Sequence, residues 1–269
     1  MPRVGRPDGI EIHWEARGDG PLVVLASYWS FHPSVFQPIT AELERDHRVV
    51  RYDDRGAGQS TRAGPYDLDT SSADLEAVIE AAGSDAVVIA TADASHRGVR
   101  AGARRPDLVK AVIGIGAPLG RDKLAGFDAL ASSEVVVNAL LDMAGTDYRA
   151  ALRSLVTSTN PQMSERELRE RVRAQAEYCP PEAAVPRLRA WAEGDSTDQG
   201  RALDDRLWIL DSQGMSGGWF PSGPELVRVV RANLPDAHVE EVPDGIVTRP
   251  DATAALVRRI TARAATPAS

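Results

Sequence analysis

Short apolar runs alternate along the chain with stretches whose apolar positions recur every three or four residues. IEIHW (10–14) alternates apolar and polar, as an edge strand half exposed to water does. LVVLAS (22–27) and AVVIAT (86–91) are continuously apolar, which predicts strands buried on both faces. RVVRYDD (48–54), VKAVIGIG (109–116), RLWILDS (206–212) and AHVEEVP (237–243) read as further strands. Helices are predicted at ITAELERDH (39–47), HRGVRAGARRP (96–106), ELVRVVRANLP (225–235) and ATAALVRRITARA (252–264). SSADLEAVIEAAG (71–83) adds a serine cap, an apolar stripe at Leu75, Val78 and Ile79, and a terminal glycine.

Strands and helices in alternation predict an α/β fold: a mostly parallel central sheet with helices on both faces. Between residues 116 and 206 no strand is predicted. EVVVNALLDMA, DYRAALRSLV, SERELRERVRAQAEY and VPRLRAWAEG instead read as helices. A helical insertion at the C-terminal edge of such a sheet covers the place where ligands bind, so it is expected to be a lid. The chain is thus expected to be one domain, 1–269, with a lid insertion at roughly 120–203.

Composition narrows the function. Apolar residues are 43% and charged residues 26% of the 269 positions, as in a globular protein with a buried core. The net charge of −8 is spread without a basic cluster, which argues against a nucleic-acid partner. No stretch approaches a membrane span, and MPRVGRPDG has no apolar run for a signal peptide, so a cytoplasmic location is expected. The abundance of arginine and alanine suggests a high-GC bacterial source. A single cysteine, Cys179, allows no internal disulfide. No phosphate-binding loop, dinucleotide fingerprint or metal-ligand spacing occurs, so neither cofactor nor metal is expected. IGIGAPLG follows a late strand and reads as the loop into the lid.

Residues 53–60, DDRGAGQS, resemble the D-x-R-G-x-G-x-S turn that follows the third core strand in many α/β-hydrolase-fold proteins. The order of elements around it is similar, and ARRPDLVKAVIGIG resembles the passage after that family's nucleophile elbow. The ending LPDAHVEEVPDGIVTRPDATAALVRRI resembles its closing strand, loop and helix. The resemblance spans the whole chain except the lid. It implies an α/β-hydrolase fold with a catalytic triad whose positions are empty. The family's elbow carries G-x-S-x-G. Counting back from Pro106 places Ala92 at the centre, with Ala90 and Ala94 where glycines usually stand. One residue later places Asp93 there, with the less suitable flanks Thr91 and Ser95. The base position in PDGIVTRPD is filled by Ile246, and the acid position in QGMSGG has no carboxylate, although Asp211 lies just before it. The oxyanion loop, usually opened by H-G, reads ASYWSFH; a backbone N–H near Tyr28 and that of Asp93 are its expected donors.

Nucleophile, base and acid act as one unit, so their loss argues against a serine esterase, lipase or peptidase. The pocket is expected to persist, lined by Tyr28, Trp29, His32, Asp93 and His96, with Ala92, Trp219, Phe220 and Ile246 beside them. Asp93 at a helix start would serve as a base or anchor, with His96 one turn on to pair with it and Tyr28 as a donor. Three readings follow. The first is a non-hydrolytic enzyme (cyclase, lyase, isomerase or carbon–carbon bond-forming) acting on an apolar small molecule, as in natural-product biosynthesis. The second is a non-catalytic small-molecule binder or resistance protein. The third is a hydrolase with displaced catalytic residues. The lid helices also leave a homodimer open.

Overall fold

The computed structural model describes residues 2–124, 134–211, 221–242 and 250–264. Its strands are β1 (Arg3–Gly5), β2 (Glu11–Arg17), β3 (Leu22–Ala26), β4 (Arg48–Tyr52), β5 (Ala86–Thr91), β6 (Val109–Ile115), β7 (Leu207–Asp211) and β8 (His238–Glu241). They form one sheet in the order β1-β2-β4-β3-β5-β6-β7-β8. β1 and β2 pair antiparallel, and from β4 onward all pairs are parallel. Every residue of β3 and β5 is buried, as their unbroken apolar runs predict. The three-residue β1 is too short to leave a periodic signal, and the sequence reading misses it.

Helices cover both faces. α1 (Gln37–Leu43) and α11 (Pro250–Ala264) place Leu43, Val257 and Ile260 on Val23, Val87 and Ile113. On the other face α2 (Leu68–Ala82), α3 (Ala94–Arg104) and α10 (Gly223–Asn233) pack Leu75, Val99 and Val230 against Val24, Val88 and Val112. The predicted serine cap of α2 is replaced by Asp67, whose carboxylate accepts from the Thr70 N–H at 2.8 Å; Ser71 and Ser72 lie buried inside the helix. Between β6 and β7 come α4 (Arg121–Leu124), α5 (Glu134–Thr146), α6 (Tyr148–Thr159), α7 (Glu165–Tyr178), α8 (Pro181–Ala192) and α9 (Thr197–Leu203). Leu152, Val156, Leu168 and Leu188 of this segment form a third core with Trp29 and Phe31, which follow β3. The helical segment therefore rests on the C-terminal ends of the parallel strands. No described helix is long and apolar enough to cross a membrane.

The DDRGAGQS turn is held at several points. Gly56 and Gly58 adopt left-handed φ of 83° and 53°. Asp53 accepts from Gln59 N–H at 3.0 Å and from the Tyr178 hydroxyl at 3.0 Å, and shares a 3.0 Å hydrogen bond with His13. Arg55 makes a two-pronged pair with Asp74, at 2.5 and 2.8 Å, and reaches Asp8 at 3.0 Å. Asp53 and Arg55 thus anchor the turn separately, each to its own partners. A Cβ on Gly58 would lie 2.4 Å from the Asp53 carboxyl. Gly58→Ala is therefore expected to cost about 2–4 kcal/mol in urea unfolding; a cost below about 0.5 kcal/mol contradicts this account of the turn.

Candidate functional site

After β5 the chain turns sharply into α3, and the residue at the bend is Ala92. Its φ of 51° is the left-handed region that an L-residue with a side chain rarely enters. The bend is fastened on both sides. Ala92 N–H donates to the Ile115 carbonyl of β6 at 2.7 Å, and Ser95 N–H donates to the Ala92 carbonyl at 3.0 Å. Of the two registers open in the sequence, the strained position falls on Ala92, and Asp93 is the first residue past it. The side chain at the bend is a methyl group, which has no lone pair and no exchangeable proton.

Asp93 is buried, and its side chain does not cap α3. One carboxylate oxygen instead accepts from Trp29 N–H at 2.7 Å. That N–H belongs to the loop after β3, from which an oxyanion donor is expected, one residue beyond Tyr28. Donors stabilise a developing oxyanion only when they are free to face it. Here the protein's own carboxylate holds that donor. The other Asp93 oxygen lies 3.8 Å from Arg97. Burial raises the Asp93 carboxyl above the ordinary carboxylate range, opposed by Arg97, Arg187 and the Trp29 hydrogen bond.

Around Asp93 lies a buried charge network. Arg97 donates to Asp54 at 3.1 Å and to the Ser27 carbonyl at 2.5 Å. Arg187 of α8 donates to the same Asp54 oxygen and lies 4.0 Å from the Cys179 sulfur. Burial pushes the Cys179 thiol up, so it is no ready nucleophile. The sequence reading missed Arg97, Arg187 and Asp54. Their pairings span 43 and 133 residues, and no local pattern carries them.

The other expected residues scatter. His96 does not pair with Asp93: its ring sits 3.0 Å from the Ser196 hydroxyl, just before α9. The reason is helical geometry, since α3 directs position 96 away from the bend and into the contact with α9. Trp29 is buried, with its indole N–H on the Ala184 carbonyl at 2.6 Å and its ring edge-on to Tyr148. Tyr28 stacks on Phe31 at 3.9 Å, and burial raises its phenol well above the ordinary value. His32 accepts from Ser34 N–H at 3.0 Å, capping the 3-10 turn Pro33–Phe36. Trp219, Phe220 and Ile246 lie outside the described residues. All five histidines are described, and each ring is engaged elsewhere: His13 with Asp53, His32 with Ser34, His47 with Asp46 and Thr261, His96 with Ser196, and His238 stacked on Trp208. Asp211 accepts from Gly223 N–H at 2.6 Å. Among the described residues no group of His, Cys, Asp and Glu is placed to hold a metal ion.

Open space lies outside this network, none of whose residues lines it. A cleft of about 590 Å³ runs between the loop after β3 and α7, with Phe31, His32, Val35, Met163, Arg171 and Gln175 on its walls. That volume suits a small organic molecule. Of the expected lining residues, His32 is on this wall.

His96 gives the site a pH signature. Burial holds its imidazole down to about 4, from an ordinary 6.5, with Arg100 adding to the effect. The unfolded chain therefore takes up a proton at higher pH than the folded one. The stability this contributes is complete above pH 6.5 and is lost as pH falls toward 4, by on the order of 3 kcal/mol. His96→Gln is expected to flatten the fall in unfolding free energy over that window; an unchanged slope contradicts the burial argument.

No family model matches the sequence. Solved structures do. The chain superposes on an esterase from Exiguobacterium antarcticum with a TM-score of 0.79 at 18% identity, covering 96% of this chain and 98% of that one. It superposes on a bromoperoxidase from Bacillus anthracis with a TM-score of 0.76 at 17% identity, covering 97% and 99%. For an enol-lactonase from Burkholderia xenovorans LB400 the TM-score is 0.68 at 19% identity, covering 97% and 100%. Likeness at such identities speaks for the backbone and not for the chemistry. The strand order, the left-handed residue after β5 and these near full-length superpositions agree: the chain has the α/β-hydrolase fold.

Proposed function

We propose that this protein binds a small, largely apolar molecule between the loop after β3 and the helical segment, and carries out no acyl transfer. One observation carries the reading: the elbow residue is Ala92, and the neighbouring Asp93 carboxylate accepts the Trp29 N–H that would face an oxyanion. A carboxylate at that point repels the negative charge that acyl transfer must stabilise. His96, the imidazole closest to the elbow in sequence, is turned to Ser196, and His32, on the cleft wall, accepts from Ser34 N–H, so neither stands at Ala92 to activate a hydroxyl or water. In this reading the chain is one domain, 1–269, and its insertion at roughly 120–203 is a lid. The cleft beside α7 is the ligand site.

A second reading, a non-hydrolytic enzyme such as a lyase or isomerase, draws on the raised carboxyl of Asp93. A buried acid of this kind can lend a proton to a neighbouring substrate atom. It ranks second because His96, its expected partner, turns to Ser196.

Two measurements separate the readings. p-Nitrophenyl acetate and butyrate are expected to hydrolyse no faster with the protein than in buffer. Ala92→Ser, which returns a hydroxyl to the elbow, is expected to stay within about tenfold of that background, since no imidazole takes its proton. Wild-type turnover abolished by Asp93→Asn contradicts the proposal and favours a hydrolase with displaced residues. Quinoline, a neutral aromatic probe, is expected to raise the melting temperature with no product by mass spectrometry.

A further inference from the structure

α7 is rich in glutamate and arginine, and three of its arginines face a glutamate one helical turn away. Arg166 pairs with Glu170 at 3.7 Å, Arg169 with Glu165 at 3.0 Å and Arg173 with Glu177 at 4.0 Å. Arg171 has no such partner among the described residues. Four positions before it stands Glu167, which bends back to accept from Ser164 N–H at 3.0 Å as part of the helix cap. Four positions after it stands Gln175, which is neutral. Arg171 is also the arginine of α7 that lines the cleft facing the loop after β3. Its charge reaches across that cleft: it opposes the rise that burial imposes on the phenol of Tyr28, which stacks on the cleft-wall residue Phe31. The guanidinium therefore lies on the side of α7 that faces this loop.

We infer that Arg171 is the charged anchor of the cleft, and that the ligand is a monocarboxylate carried on an apolar body. A guanidinium presents a planar fork of N–H donors that matches the two oxygens of a carboxylate. Phe31, Val35, Met163 and Ala174 supply apolar wall for the rest of the molecule. His32 stands on the same wall, and its Nδ1 accepts from Ser34 N–H at 3.0 Å. The neutral ring therefore carries its proton on Nε2 and has only a donor left to offer, which also suits an anionic oxygen. The ligand carries one negative charge and not two, because one cation stands unpaired and Glu167 and Glu170 on the cleft wall repel a dianion. The inference rests on the cleft being the ligand site and adds what that site recognises.

The test uses the full chain at neutral pH and two probes of one shape, 2-naphthoate and its uncharged counterpart 2-naphthamide. Binding is followed by titration calorimetry and by the methyl signal of Met163, on the cleft wall, in protein labelled at methionine. 2-Naphthoate is expected to bind at least about fivefold more tightly than 2-naphthamide, to lose that margin as salt is added, and to shift the Met163 signal. Arg171→Gln is expected to remove the margin and to leave 2-naphthamide binding unchanged, because Arg171 is exposed and holds no other group among the described residues. Arg169→Gln, which removes an arginine of the same helix already paired with a glutamate, is expected to keep the margin. Equal binding of the two probes, a margin that survives Arg171→Gln, or an equal loss of margin in Arg169→Gln overturns this inference; quinoline binding then still supports the cleft as a site for neutral molecules. Binding of none of the probes, quinoline included, or binding that leaves the Met163 signal in place, overturns both.

Discussion

Two buried arginines share one carboxylate at the heart of this molecule. Arg97 on α3 and Arg187 on α8 both donate to Asp54, just beyond β4, and Arg97 also holds the Ser27 carbonyl beyond β3. Four separate parts of the chain meet there. Two guanidiniums in a dry interior need two negative partners, and removing one partner from such a set is far costlier than losing a surface ion pair. Asp93 is the second. Its carboxylate faces Arg97 and is drawn by the field of Arg187. The network therefore binds the helical segment to the sheet and fixes the side chain beside the elbow in the same stroke.

The consequence is a sharp bend with a methyl group at its apex. A left-handed alanine is strained by about 1–2 kcal/mol relative to an ordinary backbone, and the bend persists because β6 and α3 both hydrogen-bond to it. In a nucleophilic elbow such strain would present a hydroxyl to substrate. Here it presents a methyl group, and the nearest carboxylate is turned onto Trp29 N–H. Bend, sheet order and helical cover survive as architecture. The proposed ligand site is the cleft beside α7, whose walls mix apolar Phe31, Val35 and Met163 with polar His32, Glu167 and Arg171.

The fold was legible because its signals are local. The unbroken apolar runs of β3 and β5 announce burial on both faces, and the glycines of DDRGAGQS announce a tight turn that Gly56 and Gly58 in fact make with positive φ. The position of the bend could be narrowed to Ala92 or Asp93 and no further, since backbone dihedrals are not written in side-chain spacing. The charged network was illegible. Arg97 sits in an arginine-rich stretch that reads as a solvated helix face, and its partners lie far along the chain. His96 misled for the opposite reason: one helical turn from Asp93, it looked like a partner, whereas the contact with Ser196 is set by how α9 docks. Arg171 hid inside a helix of glutamates and arginines, although the four-residue spacing that pairs its neighbours gives it only the capping Glu167 and the neutral Gln175.

The central claim is that no activated hydroxyl stands at the elbow. Incubation with an alkyl fluorophosphonate, followed by intact-mass measurement, tests it most directly, because such a reagent forms a stable bond with any activated hydroxyl in a site of this shape. The account predicts a chain of unchanged mass after prolonged exposure. A stoichiometric phosphonyl adduct, mapped by fragmentation to a residue at the ends of the parallel strands, contradicts it.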